Sequence, residues 1–176
     1  MSDPFKRLQE IEQQCLASSE ALPGLDSHQN EWSGIGFRIG SIELVSIMGE
    51  VTEIMDPPEY TKVPGVQPWV VGIANVRGSL LPLMDLKGFV TGDDLKNRKD
   101  GRVMVVNHKG MNTGLIVDEV LGMRHFSLSE QTYELPDMEN TLKPFIKKAF
   151  NRDEKYWPVF SFHTLVEDER FLHASL

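Results

Sequence analysis

Apolar residues fall on two different periods along this chain, and the change between them divides it. From Asp3 to about Leu22, Phe5, Leu8, Ile11, Cys15 and Leu16 recur at spacings of three and four with charges between them, the stripe of an amphipathic helix. Ser2 or Asp3 can cap its start, Pro4 suits the first turn, and Pro23-Gly24 ends it. A helix of this length draws most of its stability from tertiary contact, so packing on its own domain is favoured over an arm held out for a partner. Leu25 to Glu31 follows as a polar linker, and from Trp32 the period becomes two.

Ile35, Phe37 and Ile39 alternate, Gly40-Ser41 has the Gly-X form of a two-residue hairpin turn, and Ile42 and Leu44 resume the alternation. Val45 to Met55 reads as a continued strand with Val51, Glu53 and Met55 on one side, stopped by Asp56-Pro57-Pro58. A loop rich in Pro and Gly runs to Pro68. The segment Trp69 to Leu86, WVVGIANVRGSLLPLMDL, then reads as strand, tight turn at Arg77-Gly78, strand. Pro82 donates no ladder hydrogen bond, which predicts a sheet edge or a bulge for the returning strand.

After Leu86 the stretch GDDLKNRKDGR is expected to be a solvated loop; its mixed signs do not match a metal or phosphate site. Val103 to Val106 is a short strand turned by His108-Lys109-Gly110, and Leu115, Val117 and Glu119 alternate with Ile116, Asp118 and Val120 on the return. Met123 to Leu135 is less regular. Phe145 to Phe150 and Tyr156 to Phe160 flank Asn151-Arg152-Asp153-Glu154 as another hairpin. The end is a helix capped by Ser161, with Phe162, Leu165, Val166 and Leu172 on one face and a tail over 173–176. Many short strands with Gly and Pro punctuation predict an all-β-dominated fold, barrels or a sandwich, not a βαβ sheet.

Composition removes several classes of function. A length of 176 residues suits one domain or two small subdomains, and a 40% hydrophobic fraction supports a packed interior. The formal net charge of -8 argues against nucleic acid and against an anionic membrane surface. One cysteine, Cys15, excludes an internal disulfide framework and fits a reducing, cytoplasmic compartment. There is no apolar run long enough to span a bilayer, so no direct membrane insertion is expected.

The five histidines share no metal-ligand spacing, and there is no phosphate loop or nucleophile elbow. Asp85, Asp118 and Glu119 are the best acid candidates. Adjacent positions on a regular strand point to opposite faces, so Asp118 and Glu119 form no carboxylate pair, and Asp85 at a strand end suits a turn cap. No nucleophile, base and orienting group come together, so neither catalysis nor a cofactor is expected. The unusual feature is a long cation, Arg77, at a turn where Asn-Gly would be the bland choice.

The segment GIANVRGSLLPLMDL resembles the hallmark of CheW-like domains: an apolar strand, an N-x-R-G turn, then a Pro and a D-L pair. Val51-Thr52-Glu53-Ile54 before a Pro-bearing loop is similar to the family's V-x-E-I strand. Gly114-Leu115-Ile116-Val117-Asp118-Glu119-Val120 is similar to its G-[LI]-x-V-D-x-V segment. The resemblance covers about Trp32 to Leu172, which makes 32–172 the domain and 1–31 a helix and linker added to it. It implies two small, intertwined SH3-like β-barrels with an N-terminal helix and a short C-terminal one. It also implies a non-enzymatic adaptor, cytoplasmic and associated with membrane receptor arrays. Such an adaptor joins the cytoplasmic tip of a methyl-accepting chemotaxis receptor to the regulatory domain of a CheA-type histidine kinase. Within the family the wording is most similar to adaptors that control type IV pili and twitching motility.

The resemblance puts Arg77 and Glu53 at or near partner-facing surfaces, with Val51 and Val103 at apolar positions implicated in partner contact. An Arg fork can bond two acceptors on a partner helix, which Lys cannot imitate. Plainer roles stand beside these: Arg77 can pair with Glu53 and fix the hairpin, Asn75 can shape the turn, and a strand valine most often packs in a core. The extension before Trp32 and the stretch NRDEKYWP depart from the family pattern. The alternative function is a small β-barrel module for a ligand or nucleic acid, against which the acidic balance argues.

Overall fold

A computed structural model describes residues 30–92 and 101–174 of the chain. The expected helix over Asp3–Leu22, with Cys15, lies outside the described residues, as does most of the polar connection after Gly92. Among the described residues, twelve strands form two six-stranded sheets. The first holds β1 (Glu31–Ile39), β2 (Ile42–Ile47), β9 (Glu119–Ser127), β10 (Gln131–Thr132), β11 (Ile146–Arg152) and β12 (Lys155–Phe160). The second holds β3 (Val51–Met55), β4 (Tyr60–Thr61), β5 (Val70–Val76), β6 (Ser79–Asp85), β7 (Arg102–His108) and β8 (Met111–Val117). The chain therefore starts in one sheet, builds the whole of the other, and returns.

Each sheet curls around its own apolar cluster, which gives the two small barrels. Val45, Phe126, Phe150, Trp157 and Val159 fill the first; Val71, Ala74, Leu81, Leu83, Val103, Val105 and Ile116 fill the second. A third and larger cluster is the seam between them, with Phe37, Leu44, Met104, Val106, Leu115, Val117, Phe160 and Phe162 among its members. Strand β7 shows how the sequence builds this. Val103 and Val105 point into the second barrel while Met104 and Val106 point into the seam, so all four are buried. A strand buried on both faces reads as a continuous apolar run, and Val103–Val106 is one.

The hairpins follow the period-two reading. Gly40 at φ 58 turns β1 into β2, with Ile39 opposite Ile42. Lys109 and Gly110 both have positive φ and turn β7 into β8, as Asp153 and Glu154 do for β11 and β12. Elsewhere the structure corrects the sequence. The expected strand Val45–Met55 breaks at Met48–Glu50, where Gly49 takes φ 92 and the chain changes sheets. Likewise β8 and β9 are separate strands in different sheets, parted at Asp118.

Strand β6 is interior, between β8 and β5, and not at an edge. Pro82 is tolerated because the pairing with β8 begins only at Leu83, which leaves Pro82 facing Ile73 of β5 alone. Three short elements had no readable period: β4 in the Pro-rich loop, the six-residue helix α1 (Leu86–Thr91), and a split in the C-terminal helix. That end is two helices, α2 (Phe162–Val166) and α3 (Glu169–Leu172), capped by Ser161 and Asp168. Phe171, stacked on Trp69 at 5.3 Å, is the buried anchor of α3, whereas Leu172 is 56% exposed.

At one end of the seam the β7–β8 turn meets α2. Glu167 accepts from Lys109 Nζ at 2.6 Å and lies 2.8 Å from His108 Nε2. The Lys109 ammonium, and after it His108, holds the Glu167 carboxyl at about 2, below its ordinary 4.5. A depressed carboxylate stabilises the fold fully above its ordinary range and loses that contribution as pH falls through about 2. Lys109→Ala is therefore expected to move the Glu167 titration midpoint upward in a carboxyl-carbon NMR titration. An unmoved midpoint would show that Lys109 is not its partner in solution.

Candidate functional site

The most distinctive surface feature is the tip of the β5–β6 hairpin. Val76 faces Ser79, so Arg77 and Gly78 form a two-residue loop, and their φ values of 52 and 84 are those of a type I′ turn. Positive φ costs a β-carbon-bearing residue on the order of 1 kcal/mol, so an arginine here is held by the hairpin against its own preference. Asn75 shapes the turn by accepting the Gly78 backbone N–H at 3.0 Å.

The guanidinium reaches Glu53 on β3 through two bonds, Nη2 to Oε1 at 2.6 Å and Nη1 to Oε2 at 3.2 Å. β3 and the β5–β4 pair lie at opposite ends of the second sheet's strand order, so this fork spans the gap between the ends of a curled sheet. The Arg77 side chain is 78% exposed and that of Glu53 32% exposed. The pair is therefore open to water, where its stabilisation is under about 1 kcal/mol. Arg77 is paired internally and still faces outward.

The remaining sequence candidates fall differently. Val51 is half-buried against the seam at the start of β3. Val103 is wholly enclosed in the second barrel and presents no surface, because β7 is flanked on both sides and covered on both faces. A residue so placed can influence a partner only through packing. The acids all have structural employment. Asp85 accepts the Lys87 backbone N–H at 3.1 Å and caps α1. Asp118 accepts the Gly40 backbone N–H, and Glu119 takes Arg38 Nη2 at 2.9 Å. Among the described residues no group of three or more His, Cys, Asp or Glu could hold a metal ion. None of their helices is long and apolar enough to cross a membrane.

Beside the arginine lies an apolar surface that sequence reasoning missed. Leu80 is 72% exposed, and Ile73, Ile54 and Tyr60 are also exposed. Asn75 faces Leu80 and Ile73 faces Pro82, so one outward face of the hairpin carries this strip up to the turn. Leu80 could have been found by parity, since Leu81 and Leu83 point inward. Ile73 could not, because a bulge between Val70 and Gly72 shifts the register and turns it outward while Val71 stays inside. The tip of the hairpin thus presents an exposed guanidinium beside exposed aliphatic side chains.

A family profile described as a CheW-like domain matches residues 33–170. Protein PilI of Pseudomonas aeruginosa is 46% identical over 179 residues, covering 100% of both chains. A chemotaxis protein CheW of Helicobacter pylori is 31% identical over 120 residues, 68% of this chain and 70% of that one. Among solved structures, the scaffolding protein TtCheW from Thermoanaerobacter tengcongensis superposes with a TM-score of 0.66 and 24% identity. That match covers 78% of this chain and 94% of the other, and it is a likeness of fold.

Proposed function

Because this chain belongs to the CheW-like domain family, we propose that it is a coupling adaptor in a chemosensory array. It joins the cytoplasmic tips of methyl-accepting receptors to a CheA-type histidine kinase, acting by binding and not by catalysis. The likeness to PilI along the full chain supports an output at type IV pili and twitching motility. Residues 32–172 form the coupling domain and 1–31 an added segment.

The observation that carries the reading is Arg77: a bidentate cation, locked at a type I′ corner, exposed, and bordered by Leu80 and Ile73. Its two bonds to Glu53 use Nη1 and Nη2 and fix the direction of the fork. Glu53 and Asn75 orient the arginine, Val51 sets the edge of the surface, and Val103 supports it from inside. Biasing a long side chain toward one direction before the partner arrives lowers part of the ordering cost of association.

Reversal of charge tests this. Arg77→Glu is expected to weaken binding to the kinase regulatory domain, to a receptor-tip fragment, or to both, by at least about 10-fold, since a central arginine anchor contributes roughly 2 kcal/mol. Arg77→Lys keeps the charge but not the fork and is expected to recover only part. Unchanged affinity for both partners and unchanged kinase output would remove Arg77 from the interface.

A further inference from the structure

A buried carboxylate lies three positions ahead of Glu53 and takes part in none of the contacts described above. Glu50, in the turn between β2 and β3, is 6% exposed. Its Oε1 accepts the Ser161 hydroxyl at 2.9 Å and its Oε2 accepts the Phe162 backbone N–H at 2.6 Å. His163 Nδ1 stands 3.8 Å from Oε1. Enclosing a carboxylate is costly unless its oxygens are met, and here both are. The acid comes from the point where the chain enters the second barrel. Its donors come from the point where the chain leaves the first, at the start of α2.

The Glu50 bonds do not cap α2 alone, although Oε2 meets its first N–H. Ser161 Oγ already accepts the Thr164 backbone N–H at 3.2 Å, so the helix has a side-chain cap of its own. What the Glu50 bonds hold is the other end, β3. That strand is the edge of the second sheet, with β7 as its one sheet neighbour, and its register with β7 is broken between Val51 and Glu53. Gly49, immediately before Glu50, sits at φ 92 with open space on the side where a β-carbon would stand. Beyond the bulge β3 is held by its pairing with β7, and within it Thr52 Oγ1 donates to the Val105 carbonyl at 3.1 Å. That leaves the start of this five-residue edge strand as the part that needs an outside tie.

We infer that Glu50 is a positioning residue for the Arg77–Glu53 pair. By tying the start of β3 to the start of α2 it fixes the Glu53 carboxylate, and through it the direction of the Arg77 guanidinium. The link to binding rests on the adaptor reading above; the link to β3 does not.

Amide hydrogen exchange on the full chain separates the two. Glu50→Gln keeps the shape but removes the charge, and its NH2 either opposes the Phe162 N–H or forces the Ser161 hydroxyl, which already accepts from Thr164, to give up its donor role. It is expected to speed exchange of the β3 amides about 10-fold, while those of β5 and β6 keep their protection. Glu50→Ala is expected to go further, by about 100-fold; if it does not fold, the glutamine variant decides alone. Ser161→Ala, a change made beyond β12, is expected to speed the same β3 amides. Unchanged β3 exchange in Glu50→Gln, or acceleration spread evenly over both sheets, would overturn the inference.

The second arm measures affinity for the kinase regulatory domain and the receptor-tip fragment. Glu50→Gln is expected to weaken only the contact that depends on Arg77, and to add nothing once Arg77 is alanine. A local loosening of β3 with no change in either affinity, where Arg77→Glu does weaken binding, would overturn the positioning of Arg77 by Glu50; no loss from Arg77→Glu either would overturn the adaptor site itself.

Discussion

Phe160→Ala is expected to lower the free energy of unfolding by about 3–5 kcal/mol. Phe160 ends β12, is fully buried in the seam, and meets three other rings. Their centroids lie at 5.1 Å for Phe162, 5.7 Å for Phe145 and 5.9 Å for Phe37. Its neighbours belong to β1, to the turn before β11 and to α2, so no single element can move in to fill the void. Edge-to-face pairs add to the area term, and two of the three contacts, those with Phe37 and Phe162, have that geometry. Urea unfolding provides the measurement, and in a chain of this size the loss corresponds to a fall of roughly 10 °C in Tm. A loss below about 1.5 kcal/mol would mean that the seam closes over the cavity and does not unite the barrels.

Gly114→Val is expected to be nearly as damaging, for the opposite reason. A β-carbon at Gly114 would lie 2.7 Å from Leu83 Cδ2, 3.0 Å from Val103 Cγ1 and 3.2 Å from Leu81 Cδ2. The ends of leucine side chains yield where they have room, but these three residues fill the interior of the second barrel and are buried. A barrel this narrow has nowhere to send the displaced methyl groups, so strain accumulates: about 1 kcal/mol for alanine and about 3 kcal/mol or more for valine. The comparison of the two variants by thermal unfolding is the check. Equal, small losses from both would show that the barrel can widen at this layer.

What the sequence made legible follows from period and turn chemistry. Ile35, Phe37 and Ile39 opposite Ile42 and Leu44 predict β1 and β2 because Gly40 permits one turn and one register. The Arg77 hairpin was readable for the same reason, and so was the exposure of its tip. The switch of sheets after Ile47 was not readable, because Ser46, Ile47 and Met48 satisfy a strand pattern whichever sheet follows. The outward turn of Ile73 depends on one unpaired residue in β5, which leaves no mark in composition. Glu50 was invisible for a different reason: its partners stand more than a hundred positions away, and nothing local distinguishes a buried carboxylate from a solvated one.

The path of the chain through the two sheets also dictates an order of assembly. Every strand of the second barrel comes from the unbroken stretch Val51–Val117, whereas the first needs β1 and β2 to meet β12, more than a hundred residues later. As the polypeptide leaves the ribosome, the inner barrel has all of its strands before the outer one has its last. The outer barrel then closes by a long-range parallel docking of Val159 and Phe160 onto Val45 and Ser46, the slow kind of contact. Strand β9 can cover β1 earlier, so it is the β2 edge that stays unpaired until that moment, an open row of backbone donors and acceptors of the kind that invites aggregation.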